Sequence, residues 1–441
     1  MGYRGLLGVA LLVVACAPVS PAAAPAASVP APAPPAAVAD AAPPPAGVGD
    51  AVATAAAAPA REWVVAWQRR LDLVTQPPRA GNGLLYLFVG NDVLALDAAT
   101  GDEHWRYTAP RLADSALALG CPCAATTADF HGRDVYVLAG TNELRALDSR
   151  TGQARWAQRL GQAITTPTVT AAGVVVIGAV ADALGTDFAL YGLDEQSGAV
   201  RWTLPFERRL IPWAAQDGAT VLGATSDQRL VAVDAPSGHL RWTAGLPRGP
   251  ALPPPERVGG GALPLGGDSS VLLLDTATGA ERWRAPVADW PGAPLPAGGR
   301  VFAATVAGQL VALDPGSGAR LWSAGLGEPL YSGGLAHADG TVYVPTLGNA
   351  LAAVDAEQGR VRWARRVGEL LAAPAWLAGA LLVGTADGAL VVLDPASGEE
   401  QARLPVGEAV RFSPLVADDA VYVVADADGG SVLTALRPQA R

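Results

Sequence analysis

Past residue 61 the chain alternates between short apolar runs and short polar clusters, and the apolar runs do not follow a helical period. Runs such as Val271-Leu272-Leu273-Leu274 are continuously apolar over four residues, too short for a helix and bounded by turn residues. This predicts strands buried on both faces, as in stacked sheets. The recurring sequence is Leu or Val, Asp, two variable residues, Thr or Ser (Gln358 in one copy), Gly, and a Trp a few residues on. The copies are Asp97, Gly101 and Trp105; Asp148, Gly152 and Trp156; Asp194, Gly198 and Trp202; and Asp234, Gly238 and Trp242. They continue with Asp275, Gly279 and Trp283; Asp314, Gly318 and Trp322; and Asp355, Gly359 and Trp363. An eighth copy, Asp394 with Ser397 and Gly398, lacks its Trp.

From Asp97 to Asp394 is 297 residues in seven steps, about 42 each. That is the period of a propeller blade and not of leucine-rich or ankyrin units. Four strands with short turns fill such a unit. In each copy the Asp carboxylate suits a tight turn, accepting backbone N–H groups two and three residues on, with Gly at a position needing positive φ. The Trp on the return strand is expected to pack against the next blade. Arg155, Arg201, Arg241, Arg282 and Arg362 directly precede a motif Trp, where a charge guards an outer sheet edge.

The termini complete one another. Arg61 to Leu71, with Trp67, reads as a return strand without its turn, and Ser431 to Leu436 reads as the strand that precedes one. Pairing them closes the ring and removes both free edges. The expectation is therefore an all-β fold, a closed β-propeller of four-stranded blades whose N- and C-terminal strands share one blade. The count gives nine units, with eight as the alternative.

The first sixteen residues carry Arg4, an apolar run from Leu6 to Val14 and then Ala15-Cys16. This reads as an export signal over residues 1–15, the run being too short for a permanent span. Val13 to Cys16 resembles the lipobox of bacterial lipoproteins, which implies lipid attachment at Cys16 and a membrane-anchored chain in the cell envelope. Ala17 implies the outer membrane, facing the periplasm, where the cell has two membranes. Residues 16–60 are mostly Ala and Pro, with nothing to bury, and read as a linker able to extend roughly 100 Å at ~3.1 Å per residue. Residues 61–441 form the repeat domain.

Composition narrows the chemistry. There is no Lys, and 31 basic against 41 acidic side chains give a net charge of −10, so nucleic acid is not an expected partner. His104, His131, His239 and His337 are scattered without metal-ligand spacing. Cys121 and Cys123 flank a Pro; they close a small disulfide or stay reduced.

The pattern from Ala95 to Trp105, and again from Ala312 to Trp322, resembles the PQQ-like repeat family. One branch of that family comprises dehydrogenases that hold pyrroloquinoline quinone and Ca²⁺ at the ring centre; another comprises non-catalytic BamB-type lipoproteins of the outer-membrane β-barrel assembly machinery. The dehydrogenase branch implies Asn and Asp ligands, an Asp base and adjacent cysteines. Asn occurs only at positions 82, 91, 142 and 349, and the cysteines are not adjacent. No catalytic, cofactor or metal residue is expected. The resemblance to the other branch implies a protein-binding scaffold with an envelope partner.

A binding face is expected where aromatics cluster between blades. Trp213, Trp290 and Trp376 follow a motif Trp by 7 to 13 residues, as Tyr331 follows Trp322, and Arg208 and Arg209 adjoin Trp213. This is the composition of an interface hot spot. The alternative is packing at the ends of inner strands.

Overall fold

The computed structural model of the chain describes residues 62–110, 129–182, 187–208, 210–246, 261–330 and 334–439. Cys16, Cys121, Cys123, Arg209, Tyr331, the export signal and the linker lie outside the described residues. Within them the regular elements are all strands, gathered into nine antiparallel sheets. No described helix is long and apolar enough to cross a membrane.

The nine sheets follow one another along the chain as blades 1 to 9, which decides the count in favour of nine over eight. In blade 1, Arg79–Gly81, Leu84–Val89, Asp92–Asp97 and Glu103–Thr108 run from the inner strand to the outer one. Blades 2, 4, 6, 7 and 8 repeat that order with four strands, and in blade 3 the inner strand is split in two. Blade 5 shows three strands among the described residues. Blade 9 takes its outer strand, Glu62–Leu71, from the N-terminal side and its neighbour, Gly430–Gln439, from the C-terminal side. They pair antiparallel from Glu62↔Gln439 to Leu71↔Ser431, with a bulge between Val65 and Trp67.

Burial explains the apolar runs. All six residues of Leu84–Val89 are buried, because the second and third strands of each blade are covered on both faces by neighbouring blades. The apolar core falls into nine clusters, and each joins two consecutive blades, with the last joining blade 9 to blade 1. Leu433 and Tyr422 of blade 9, for instance, share a cluster with Leu85 and Leu94 of blade 1. The ring is closed by packing as well as by strand pairing.

The two ends of the ring differ. At one end lie the motif turns and the turns between first and second strands, which are two residues long, as at Asn82-Gly83, Ala172-Gly173 and Ala378-Gly379. Both residues of these three turns have positive φ, which matches the turn to the twist of the strands it joins. At the other end lie the hairpins between second and third strands and the connections from one blade to the next. Twenty residues, 109–128, separate the outer strand of blade 1 from the inner strand of blade 2 in sequence. We call these the turn end and the loop end.

Candidate functional site

The repeat motif is a docking device. In each of the eight copies, the carboxylate of the Asp accepts hydrogen bonds from its own turn, as Asp275 does from Ala277 N (3.0 Å), Thr278 N (2.9 Å) and Thr278 Oγ1 (2.9 Å). The Gly closes the turn by donating its N–H to the Asp carbonyl at 2.8–2.9 Å in all eight. The Trp of the preceding blade then lies on this turn. Trp67, Trp105, Trp156, Trp202, Trp242, Trp283, Trp322 and Trp363 each donate Nε1–H to the carbonyl of the residue after the next blade's Asp, at 2.7–3.3 Å. Burial of a large ring is thereby combined with a satisfied donor.

The glycine is required on two counts. Gly318 has φ +71°, where a side chain is strained, and a Cβ there would stand 2.6 Å from Trp283 Cδ2. The indole occupies the space that every other residue would need.

Sequence reading missed a second aromatic beneath the indole. Tyr86, Tyr136, Phe302, Tyr343 and Tyr422, on second strands, lie 5.8–6.1 Å from the Trp of their own blade at tilts of 42–47°. The signal was a Tyr or Phe in an otherwise aliphatic run. The arginines before the Trp also do more than guard an edge. Arg201, Arg241, Arg282 and Arg362 bond the motif Asp seven residues earlier, on the oxygen the turn leaves free. Arg155 departs from this and binds both oxygens of Asp134 at 2.6 Å.

These contacts hold the carboxylates ionised. The Ser237 hydroxyl and the Arg241 guanidinium lower Asp234 to about 2, and Arg282 with Thr278 lowers Asp275 to about 2, against an ordinary 3.8. A depressed folded value means that the stabilisation is complete above pH 3.8 and is lost as pH falls towards 2. Replacing Arg241 and Arg282 together with Gln should move loss of near-UV circular dichroism to higher pH, with little change at pH 7; an unchanged acid transition would contradict the pairing.

The expected binding face is only partly assembled. Arg208 is exposed just after the outer strand Val200–Phe206 of blade 3. Pro212 and Trp213 sit in a bulge of the inner strand Leu210–Asp217 of blade 4. Trp290 is half-buried at the loop end, its carbonyl accepting Val306 N at 3.1 Å. Trp376 lies in Ala375–Leu377, beside the two-residue turn at the opposite end of its inner strand, and its ring is 6.2 Å from that of Tyr343. The geometry thus separates Trp376 from Trp290 and gives Trp376 a seam to fill.

A quinone with Ca²⁺ needs a converging set of oxygen ligands, six to eight for the ion. Among the described residues no three Asp, Glu, His or Cys side chains converge in that way. The motif carboxylates, the largest regular supply, are bonded within their turns. The described residues do not fit such a centre.

Six overlapping segments, which together run from residue 49 to residue 439, match the family described as outer membrane protein assembly factor BamB. The chain belongs to that family. Within the BamB family it is 27% identical over 212 residues to BamB of Burkholderia pseudomallei, covering 43% of this chain and 53% of that one. The serine/threonine-protein kinase AfsK of Streptomyces griseus is 32% identical over 222 residues, 48% of this chain and 26% of the kinase. The chain therefore spans about half the length of that BamB relative and about a quarter of the kinase. Among solved structures, BamB from Moraxella catarrhalis matches with a TM-score of 0.51 and 20% identity over 85% of this chain and 98% of that one. Quinohemoprotein alcohol dehydrogenase from Comamonas testosteroni matches with a TM-score of 0.53 and 16% identity over 86% and 77%. At these identities the structures share the fold, and fold alone does not carry function.

Proposed function

We propose that this BamB-family chain is a non-catalytic scaffold of the cell envelope, anchored by lipid at Cys16, that holds a protein partner at the loop end of its ring and serves outer-membrane protein assembly. The observation that carries the reading is the occupation of all eight motif carboxylates by their own turns. The most regular polar groups of the repeat are committed to closing the ring, which leaves recognition to what varies between blades. Variation is concentrated at the loop end, where the long connections lie and where Arg208 and Trp290 stand. Loops on a rigid frame are where binding residues gather. Arg208 and Trp290 give that end an arginine and an indole of the kind enriched at interface hot spots.

Affinity capture of the full lipoprotein from detergent-solubilised membranes tests this. Barrel-assembly components should co-purify, and the Cys16→Ala chain should leave the membrane fraction. Capture without those components would reject the assembly role. The match to AfsK favours a second reading, a propeller of the same build that serves a different partner, and the identity of the co-purifying proteins separates the two.

A further inference from the structure

A cavity of about 340 Å³ opens between the outer strands of blades 9 and 1, lined by Arg69, Arg70, Leu71, Asp72, Val89 and Arg106. Three guanidiniums and one carboxylate line it, in a chain whose net charge is −10. Two of the arginines are held from behind. Arg106 bonds Glu103 through Nε (3.1 Å) and Nη2 (3.0 Å) and Asp92 through Nη1 (2.7 Å). Arg69 bonds the Gly101 carbonyl (3.0 Å) and Glu103 (2.9 Å). Among the described residues Arg70 has a single contact, to Asp428 at 3.1 Å, and that pair is about three-quarters exposed. A guanidinium has five N–H donors, so the three supply fifteen; six of these are bonded and nine remain. Within the lining, Asp72 is the one carboxylate available to receive them. Arg106 is held firmly charged by its two acidic partners, Glu103 and Asp92.

We propose that this cavity binds a carboxylate of an acidic, partly apolar peptide segment supplied by a protein partner. Preorganised guanidinium forks suit a carboxylate, which they can hold through two parallel bonds. Leu71 and Val89 supply apolar wall for a neighbouring side chain. That wall favours a peptide over inorganic phosphate, which has no apolar surface to bury against it. The cavity adjoins the loop-end exit of Glu62–Leu71 and so extends the proposed partner face; it rests on that reading.

The test uses the intact chain and a capped tetrapeptide of alternating glutamate and leucine, its glutamine counterpart, and inorganic phosphate, followed by calorimetry. The glutamate peptide should bind at least about tenfold more tightly than the glutamine peptide. Arg70→Gln should weaken it by about tenfold with the melting temperature unchanged, since the Arg70–Asp428 pair is exposed. Asp72→Asn should tighten it. Equal binding of the two peptides, indifference to both substitutions, or phosphate binding more tightly than the peptide would each overturn the assignment. If the wild-type lipoprotein still captures barrel-assembly components while ignoring the peptide, the cavity assignment fails and the scaffold reading stands.

Discussion

Trp283→Ala should destabilise the ring by about 3–5 kcal/mol, the range for deleting a buried large aromatic. Trp283 is 8% exposed, shares the cluster that joins blades 5 and 6, and donates to the Pro315 carbonyl at 2.9 Å. Its removal leaves a cavity over Gly318 and strips that carbonyl of a partner in the same step. Gly318→Ala should act on the same seam from the other side, since its new methyl needs the space of the ring and its φ is wrong for a side chain. The converse substitution should not help. Ala402 stands where the eighth repeat would carry its Trp, pairing Val392 as Trp363 pairs Ala353, but blade 9 offers no Asp turn to receive an indole, because its two outer strands, Gly430–Gln439 and Glu62–Leu71, are not joined by a hairpin. Ala402→Trp should therefore cost about 1–3 kcal/mol through overpacking. Thermal or chemical denaturation of the three variants checks this; a stabilised Ala402→Trp would show that the missing Trp is accidental.

That seam also shows what the sequence revealed and what it withheld. The turn chemistry and the Trp position are local features, each set by residues within about eight positions of one another, and the 42-residue period is their recurrence along the chain. They were legible, and so was the sharing of one blade by both termini. The arginine caps were within reach as well, because Arg201, Arg241, Arg282 and Arg362 all follow their Asp by seven residues. Beyond the motif Trp, local sequence does not carry which side chains meet across the seams between blades. The ring of Tyr343 lies between Trp363 of its own blade and Trp376 of the next, and nothing local to position 376 distinguishes such a seam residue from a rim residue. The cavity at Arg69 and Arg106 joins segments of blades 9 and 1 that become neighbours only after strand pairing has placed Glu62–Leu71 against Gly430–Gln439.

Trp63→Ala should open the ring at one place. The seam between blades 8 and 9 lacks both halves of the docking device, and Trp63, 7% exposed at the start of the N-terminal strand, occupies the cluster that contains Leu382, Val392 and Leu436, with Ala402 and Leu404 packed against it. It fills from blade 9 the gap that the other blades fill from the preceding side. Among the described residues its buried Nε1 has no hydrogen-bond partner, unlike the eight docked indoles. Two contrasts follow. Trp63→Phe should cost much less than Trp283→Phe, because only the latter gives up a hydrogen bond, worth about 0.5–1.5 kcal/mol, and orphans an acceptor. Trp63→Ala should remove about 3–5 kcal/mol of packing and speed amide exchange first in Glu62–Leu71 and Gly430–Gln439, since opening there frees an edge without disturbing a docked turn. Exchange that rises uniformly around the ring, with no lead in these two strands, would show that the closing blade is held as firmly as the others and that the Trp63 ring does not substitute for the lost dock.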